Sequence, residues 1–299
     1  MEHLITPQRI ANSIQQDNTF TGHYLLVEGR KDITLFNKFV DHDNCRLKPT
    51  FGKYKQREVY EILEKRGFKN KLAIRDADFI RMPNNPKFDV NYNKAIFLTD
   101  YHDSEGMIIN SLAFRDFLVS ISNDDELKKF SEKFGDIYNL AYKLCLPLAY
   151  LRLANKKYDL GLSFKPEKPE GNKFKFKKII CDKNFVFLGV DSLINVIYEY
   201  SKNRGKEVSS RADIKSKLEL IMQEDIDQLE AVNGHDLCQV LYILCSKGLK
   251  SKSKLLNDSD SIEEMLSLTY AYDYFRNSQL FKQIDDWQKT HGVAVIGTP

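Results

Sequence analysis

Over its first 120 residues the chain alternates two patterns. Short apolar runs are followed by stretches in which apolar residues recur every three or four positions, the signature of strands alternating with amphipathic helices. Tyr24-Leu25-Leu26-Val27 is the first run; after Glu28-Gly29-Arg30-Lys31-Asp32, helical spacing follows at Ile33, Leu35, Phe36 and Phe39. A second strand is expected over 46–51, and after Gly52-Lys53 a second helix carries Val59, Ile62 and Leu63 to a stop at Gly67. Leu72-Ala73-Ile74-Arg75-Asp76-Ala77-Asp78 reads as the third strand and 94–99 as the fourth, leading through Asp100-Tyr101-His102-Asp103-Ser104-Glu105-Gly106 into a helix with Met107, Ile108, Leu112, Phe117 and Leu118. Residues 81–93, asparagine-rich with Pro83 and Pro86, read as a surface loop.

This alternation predicts an α/β, Rossmann-like domain with a mainly parallel sheet and right-handed crossovers. Such sheets place ligands at the carboxyl ends of their strands. Glu28, Asp76, Asp78 and Glu105 all fall at or just beyond such ends.

From Asp124 the spacing turns helical, with Pro147 marking a kink or an end. The expected division is 1–120 for the α/β domain and 121–299 for a mostly helical one with a small β-hairpin. A basic, Pro/Gly-interrupted insert lies at about 164–188, where six lysines face two glutamates over residues 164–178. There Phe174-Lys175-Phe176-Lys177 alternates apolar and basic, suiting an exposed strand paired with 185–188. That segment is either a nucleic-acid contact or a charge-protected edge hairpin. Helices are expected over 191–200 and 217–229 and after Asn233-Gly234-His235-Asp236. A Lys/Ser-rich loop spans 246–261, aromatic-rich helices follow to Trp287, and a frayed tail begins at Thr290.

Composition narrows the classes. The 299 residues are 42% hydrophobic and 29% charged, so the chain is neither disordered nor fibrous. Net charge is only +3, so a polyanion partner would have to be met by local clustering. The five cysteines show no zinc-like spacing and are odd in number, which fits a reducing cytoplasm. Neither a signal peptide in 1–21 nor an apolar run near 18 residues is present.

Alone, an Asp-x-Asp pair after a strand is more often a helix cap or a turn. Three or four carboxylates brought together repel, however, and such a cluster implies a divalent cation. Oxygen-only donors favour Mg²⁺ or Mn²⁺ over Zn²⁺. The Glu closing the first strand, the Asp-x-Asp closing a later one and the Gly-led helix after the first resemble a TOPRIM domain. The stretches Val27-Glu28-Gly29-Arg30-Lys31-Asp32, Arg75-Asp76-Ala77-Asp78 and Thr99-Asp100-Tyr101-His102-Asp103-Ser104-Glu105 resemble the DUF4435 group of TOPRIM proteins. That group includes the nuclease effector of the PARIS anti-phage system, which works with an ABC-type ATPase.

The resemblance implies a toxic Mg²⁺-dependent endonuclease that acts on host RNA, with tRNA favoured, alongside an ATPase partner and as a homodimer when active. Glu28 would be the acid/base residue or a metal contact, Asp76 and Asp78 metal ligands, and Glu105 a further catalytic carboxylate. Asp32, Lys53, Asp100, His102, Asp103 and His235 are accessory candidates with ordinary alternatives. Asp32 would cap a helix, Lys53 would solvate a surface, and His102 would be an inert solvent-facing side chain. His235 would belong to a helix's first turn. An OLD-type DNA nickase and a catalytically inactive TOPRIM binding subunit are the competing readings. The lack of a Walker A pattern assigns any ATP hydrolysis to another chain.

Overall fold

The computed structural model describes residues 5–82, 95–165, 174–202, 204 and 207–297; the loop expected over 81–93 lies outside them from residue 83 onward. In chain order the helices and strands are α1 (Pro7–Gln15), β1 (His23–Val27), α2 (Arg30–Phe36), β2 (Cys45–Pro49), α3 (Lys53–Lys65), β3 (Lys71–Arg75), β4 (Ile96–Leu98), α4 (Ser104–Ile109), α5 (Ala113–Ile121), α6 (Asp124–Phe134) and α7 (Ile137–Tyr158). They continue with β5 (Ile180–Cys181), β6 (Val186–Phe187), α8 (Val190–Ser201), α9 (Arg211–Met222), α10 (Gln228–Ala231), α11 (Gly234–Ile243), α12 (Ser259–Thr269), α13 (Tyr272–Arg276) and α14 (Gln279–His291).

Two compact units result. The first comprises residues 1–113 together with 266–299, and the second residues 114–265.

The first unit is built on a four-stranded sheet of order β2-β1-β3-β4, parallel throughout. Its inner strands are buried on both faces, which is why they read as continuous apolar runs. The pleat assigns alternate side chains to opposite faces. Tyr24, Leu26 and Ala73 pack with Ile10, Ala11 and Ile14 of α1 and with Val59, Tyr60 and Leu63 of α3. Leu25, Leu72, Ile74 and Phe97 share the opposite face, where Phe97 and His23 meet Trp287 of α14. Helix α1 is absent from the sequence reading, although Thr6 caps it, Pro7 opens it and Ile10 and Ile14 share its buried face.

The expected boundary at 120 therefore gives way to a different division. The chain's C-terminal part returns to the first unit because aromatic side chains bury there: Phe39 stacks on Phe275 at 4.4 Å between ring centroids and meets Tyr270 at 5.9 Å. The tail expected to fray is docked, since Val295 and Ile296 are buried and the backbone N–H of Asp41 donates to Val295. The single helix expected after Glu105 is two, α4 and α5, with Leu112 exposed between them.

In the second unit α7 runs unbroken through Pro147 and packs against α9 and α11. The hairpin is two residues by two, Ile180–Cys181 against Val186–Phe187. The strand expected at 174–177 is instead a 3₁₀ turn, Phe176–Lys178, with Phe174 and Phe176 buried. Those rings belong to a core and offer no stacking platform; residues 166–173 of the basic insert lie outside the described residues. Among the described residues no helix is long and apolar enough to cross a membrane, and all five cysteines are free.

Candidate functional site

Helix α3 follows β2 on one face of the sheet, and β2 and β3 flank β1 on either side, so the strand order reverses between β1 and β3. That reversal is the topological switch point, where open parallel sheets form their ligand crevice. Glu28 is the first residue after β1 and Asp76 the first after β3. The two strands are paired from Tyr24↔Lys71 to Leu26↔Ala73 and part beyond.

Gln56 holds the parting strands. Its buried side-chain amide donates to the carbonyls of Leu26 at 3.1 Å and Ile74 at 2.7 Å, one on each strand. Sequence reasoning passed over it, but the signal was present: a glutamine at an apolar-stripe position with Val59, Tyr60 and Leu63 on α3. Replacing Gln56 by Leu removes both of these buried hydrogen bonds and is expected to cost about 2 kcal/mol, read as a lowered midpoint in urea unfolding. Beside it, Thr50 donates its hydroxyl to the Val27 carbonyl at 2.9 Å, and the N–H of Gly52 reaches the Glu28 carbonyl at 3.0 Å.

The loops after β3 and β4 are joined to each other. The N–H of Ala77 donates to the Thr99 hydroxyl, and that of Asp78 donates to the His102 carbonyl at 2.6 Å. Asp78 adopts a left-handed backbone, φ 47°, which aspartate tolerates better than most residues. Arg81 donates to the carbonyls of Tyr101 and Thr99.

The charges of these acids act on one another. Burial pushes the Glu28 carboxyl up to about 7, with the charges of Asp78 and Asp32 adding and those of Lys53 and Arg75 opposing. Its Oε1 is buried and has no hydrogen-bond partner among the described residues. Burial likewise raises Asp76 well above the usual carboxylate range, followed by the charges of Asp103, Glu28, Asp32 and Glu105. Asp78 pairs with the Lys53 ammonium at 2.9 Å. Burial pulls Lys53 down, but Asp78 and Glu28 outweigh it and hold the amine above its ordinary value. Asp76 accepts from the N–H of Ser104 at 3.3 Å, and the Ser104 hydroxyl reaches Glu105, itself buried, at 3.3 Å. The charge of Asp78 on Glu28, and those of Glu28 and Glu105 on Asp76, thus link the four acids into one group. Among the described residues its acids outnumber its cations, and one buried acceptor is unsatisfied.

The sequence matches no family model and no curated relative.

The accessory candidates divide by what they touch. Asp32 accepts from the Gly29 N–H at 2.8 Å and Asp103 from the Gly106 N–H at 2.9 Å, so each caps its own helix while its charge bears on Asp76. Asp100 accepts from the N–H groups of Gln279 and Leu280, both at 2.8 Å, and so caps α14. His102 is buried rather than solvent-facing, its ring edge-on to Phe79 at 4.9 Å.

In the second unit His235 is half-exposed, with Nδ1 2.8 Å from Glu263. Asp236 is buried and makes a bidentate pair with Arg152, both contacts at 2.9 Å, joining α11 to α7. Neutralising Asp236 to Asn strands the Arg152 charge and is expected to cost about 2 kcal/mol, checked by thermal unfolding against Asp236→Glu.

Proposed function

We propose that the first unit hydrolyses phosphodiester bonds with a bound divalent cation, Mg²⁺ or Mn²⁺. The observation that carries this reading is the pair of raised carboxyls, Glu28 and Asp76, on neighbouring strands at the switch point, one with a buried and unsatisfied oxygen. A dense group of carboxylates, raised by burial and by one another, is what an oxygen-ligated divalent cation relieves. Glu28, Asp76 and Asp78 would hold the ion, with Glu105 a further carboxylate beside them. Bound there, it would polarise a phosphate and stabilise the attacking and leaving oxygens of an in-line displacement.

The chain's own groups support the same chemistry. In the metal-free protein burial and neighbouring acids raise Glu28 to about 7, and a cation bound beside it would hold the carboxyl ionised, able to ligate the ion or to accept a proton from water. Lys53, kept protonated by Asp78 and Glu28, supplies a positive charge beside the crevice. The Ser104 N–H orients the Asp76 carboxylate, and Gln56 fixes the separation of the strands beneath both acids.

The resemblance to TOPRIM nucleases extends the proposal to RNA, tRNA above all, as substrate. It extends it further to a growth-arresting effector in the cytoplasm, homodimeric when active and governed by a separate ATPase. Incubation of the purified protein with total tRNA and with plasmid DNA, with Mg²⁺ and with EDTA, tests it. Cleavage of tRNA in Mg²⁺ alone is expected; cleavage that persists in EDTA rejects the metal, and nicking of plasmid with intact tRNA moves the assignment to DNA.

A further inference from the structure

The second unit contains a cavity of about 630 Å³ that the proposed chemistry does not use. Its size is that of clefts which enclose small ligands. Three elements contribute lysines to it: Lys129 and Lys133 from α6, Lys183 from the turn between β5 and β6, and Lys247 and Lys250 from the segment after α11. Five lysines line it against only two acidic residues, Glu126 and Asp182. None of the five lysines forms an ion pair among the described residues, so their charge is available to a ligand.

Part of the lining is aromatic. Phe134 meets Phe185 edge-on at 4.8 Å and Phe130 at 5.3 Å, and the Lys133 ammonium lies 4.7 Å from the Phe134 ring centre. Phe130 and Phe185 are buried, whereas Phe134 keeps partial exposure, with the Lys133 ammonium over its ring.

The backbone around the cavity takes unusual forms. Residues Leu244–Gly248 form a π-helical turn, a feature concentrated at functional sites, and Lys250 has a left-handed backbone at φ 53°. Gly248 lies so close to the Phe130 ring that a Cβ there would collide with it, and this close approach brings Lys247 and Lys250 to the rim.

We infer that this cavity binds single-stranded nucleic acid, with successive phosphates against the lysines and one base on Phe134 in place of the Lys133 ammonium, which would move to a phosphate. Lysines spread over three elements match a chain of phosphates better than a single phosphate, which is usually clamped by arginine forks or converging backbone N–H groups. An aromatic face beside such a rim is the pairing by which proteins hold unstacked bases without reading sequence. The inference stands independently of the hydrolytic reading of the first unit.

The test is fluorescence anisotropy with a labelled ten-nucleotide RNA of mixed sequence, in EDTA so that cleavage plays no part. Lys129→Glu/Lys133→Glu/Lys247→Glu is expected to weaken binding at least ~10-fold and to flatten the salt dependence by about two in slope, since each single-strand phosphate contact contributes about 0.7. Phe134→Ala is expected to weaken it roughly 10-fold through lost stacking. Unchanged melting curves would show both variants folded. The inference is overturned if the triple variant binds as wild type does, or if Lys65→Glu/Lys69→Glu in the first unit weakens binding equally. It is also overturned if tripolyphosphate competes as well as the RNA and Phe134→Ala has no effect.

Discussion

Asp76→Asn is expected to lower metal-dependent cleavage of tRNA by at least ~10³-fold while leaving the protein folded. Asparagine matches the size of aspartate and can still accept from the Ser104 N–H, so the loops after β3 and β4 keep their connection. What disappears is the anionic oxygen at the crevice between β1 and β3. Losing one preorganised charge at a phosphoryl-transfer centre costs about 4 kcal/mol or more of transition-state stabilisation. The assay is a single-turnover time course on a denaturing gel, with Mn²⁺ alongside Mg²⁺ to reveal a merely weakened metal site. A variant that cleaves at the wild-type rate would move the protein to the class of binding subunits and leave the carboxylates as a structural curiosity. Conserved melting behaviour excludes unfolding as the cause of a loss.

The strands were legible because a strand buried on both faces has no choice but to be apolar, and Tyr24 to Val27 and Leu72 to Ile74 are buried almost completely. Once they were placed, Glu28 and Asp76 followed, since a residue that ends such a strand stands at the ligand edge of the sheet. Long-range placement was a different matter. Helical spacing at Tyr270, Phe275 and Trp287 states that one face is buried but not against what, and the partners Phe36, Phe39 and Phe97 lie more than 150 residues earlier. Alternation at Phe174 and Phe176 predicts a strand, but at the start of a 3₁₀ turn both rings face a core with no strand formed.

Within the site, residue type alone could not separate caps from ligands. Asp32 and Asp103 each sit three residues from the N–H they satisfy, the arrangement a helix start requires, so local bonding accounts for them before chemistry is invoked. Glu28 has no such local donor for Oε1. Gln56, by contrast, shows in the sequence only as a polar residue on an apolar stripe, because its role is to bond the backbone carbonyls of two strands where they part.

Glu28→Gln is expected to stabilise the metal-free protein above neutral pH by about 3 kcal/mol. The Glu28 carboxyl is pushed from its ordinary 4.5 up to about 7 by burial and by Asp78 and Asp32, so between those values the folded protein holds a proton that the unfolded chain has released. Stability linked to this group is therefore full below about 4.5, falls as pH rises, and is lost above about 7. At about 1.4 kcal/mol for each tenfold change in proton affinity, the whole loss is on the order of 3 kcal/mol. Glutamine keeps the neutral form at every pH and removes that slope. Melting the wild type and the variant in EDTA from pH 5 to 8.5 should give curves that converge at the acidic end and diverge by several degrees at the basic end. Millimolar Mg²⁺ should then reverse the order at pH 8, because a cation held by Glu28, Asp76 and Asp78 stabilises only the chain that presents all three charges. A variant no more stable than wild type at pH 8 in EDTA would mean that Glu28 is not strained in the metal-free crevice. Equal stabilisation of both proteins by Mg²⁺ would place the ion elsewhere.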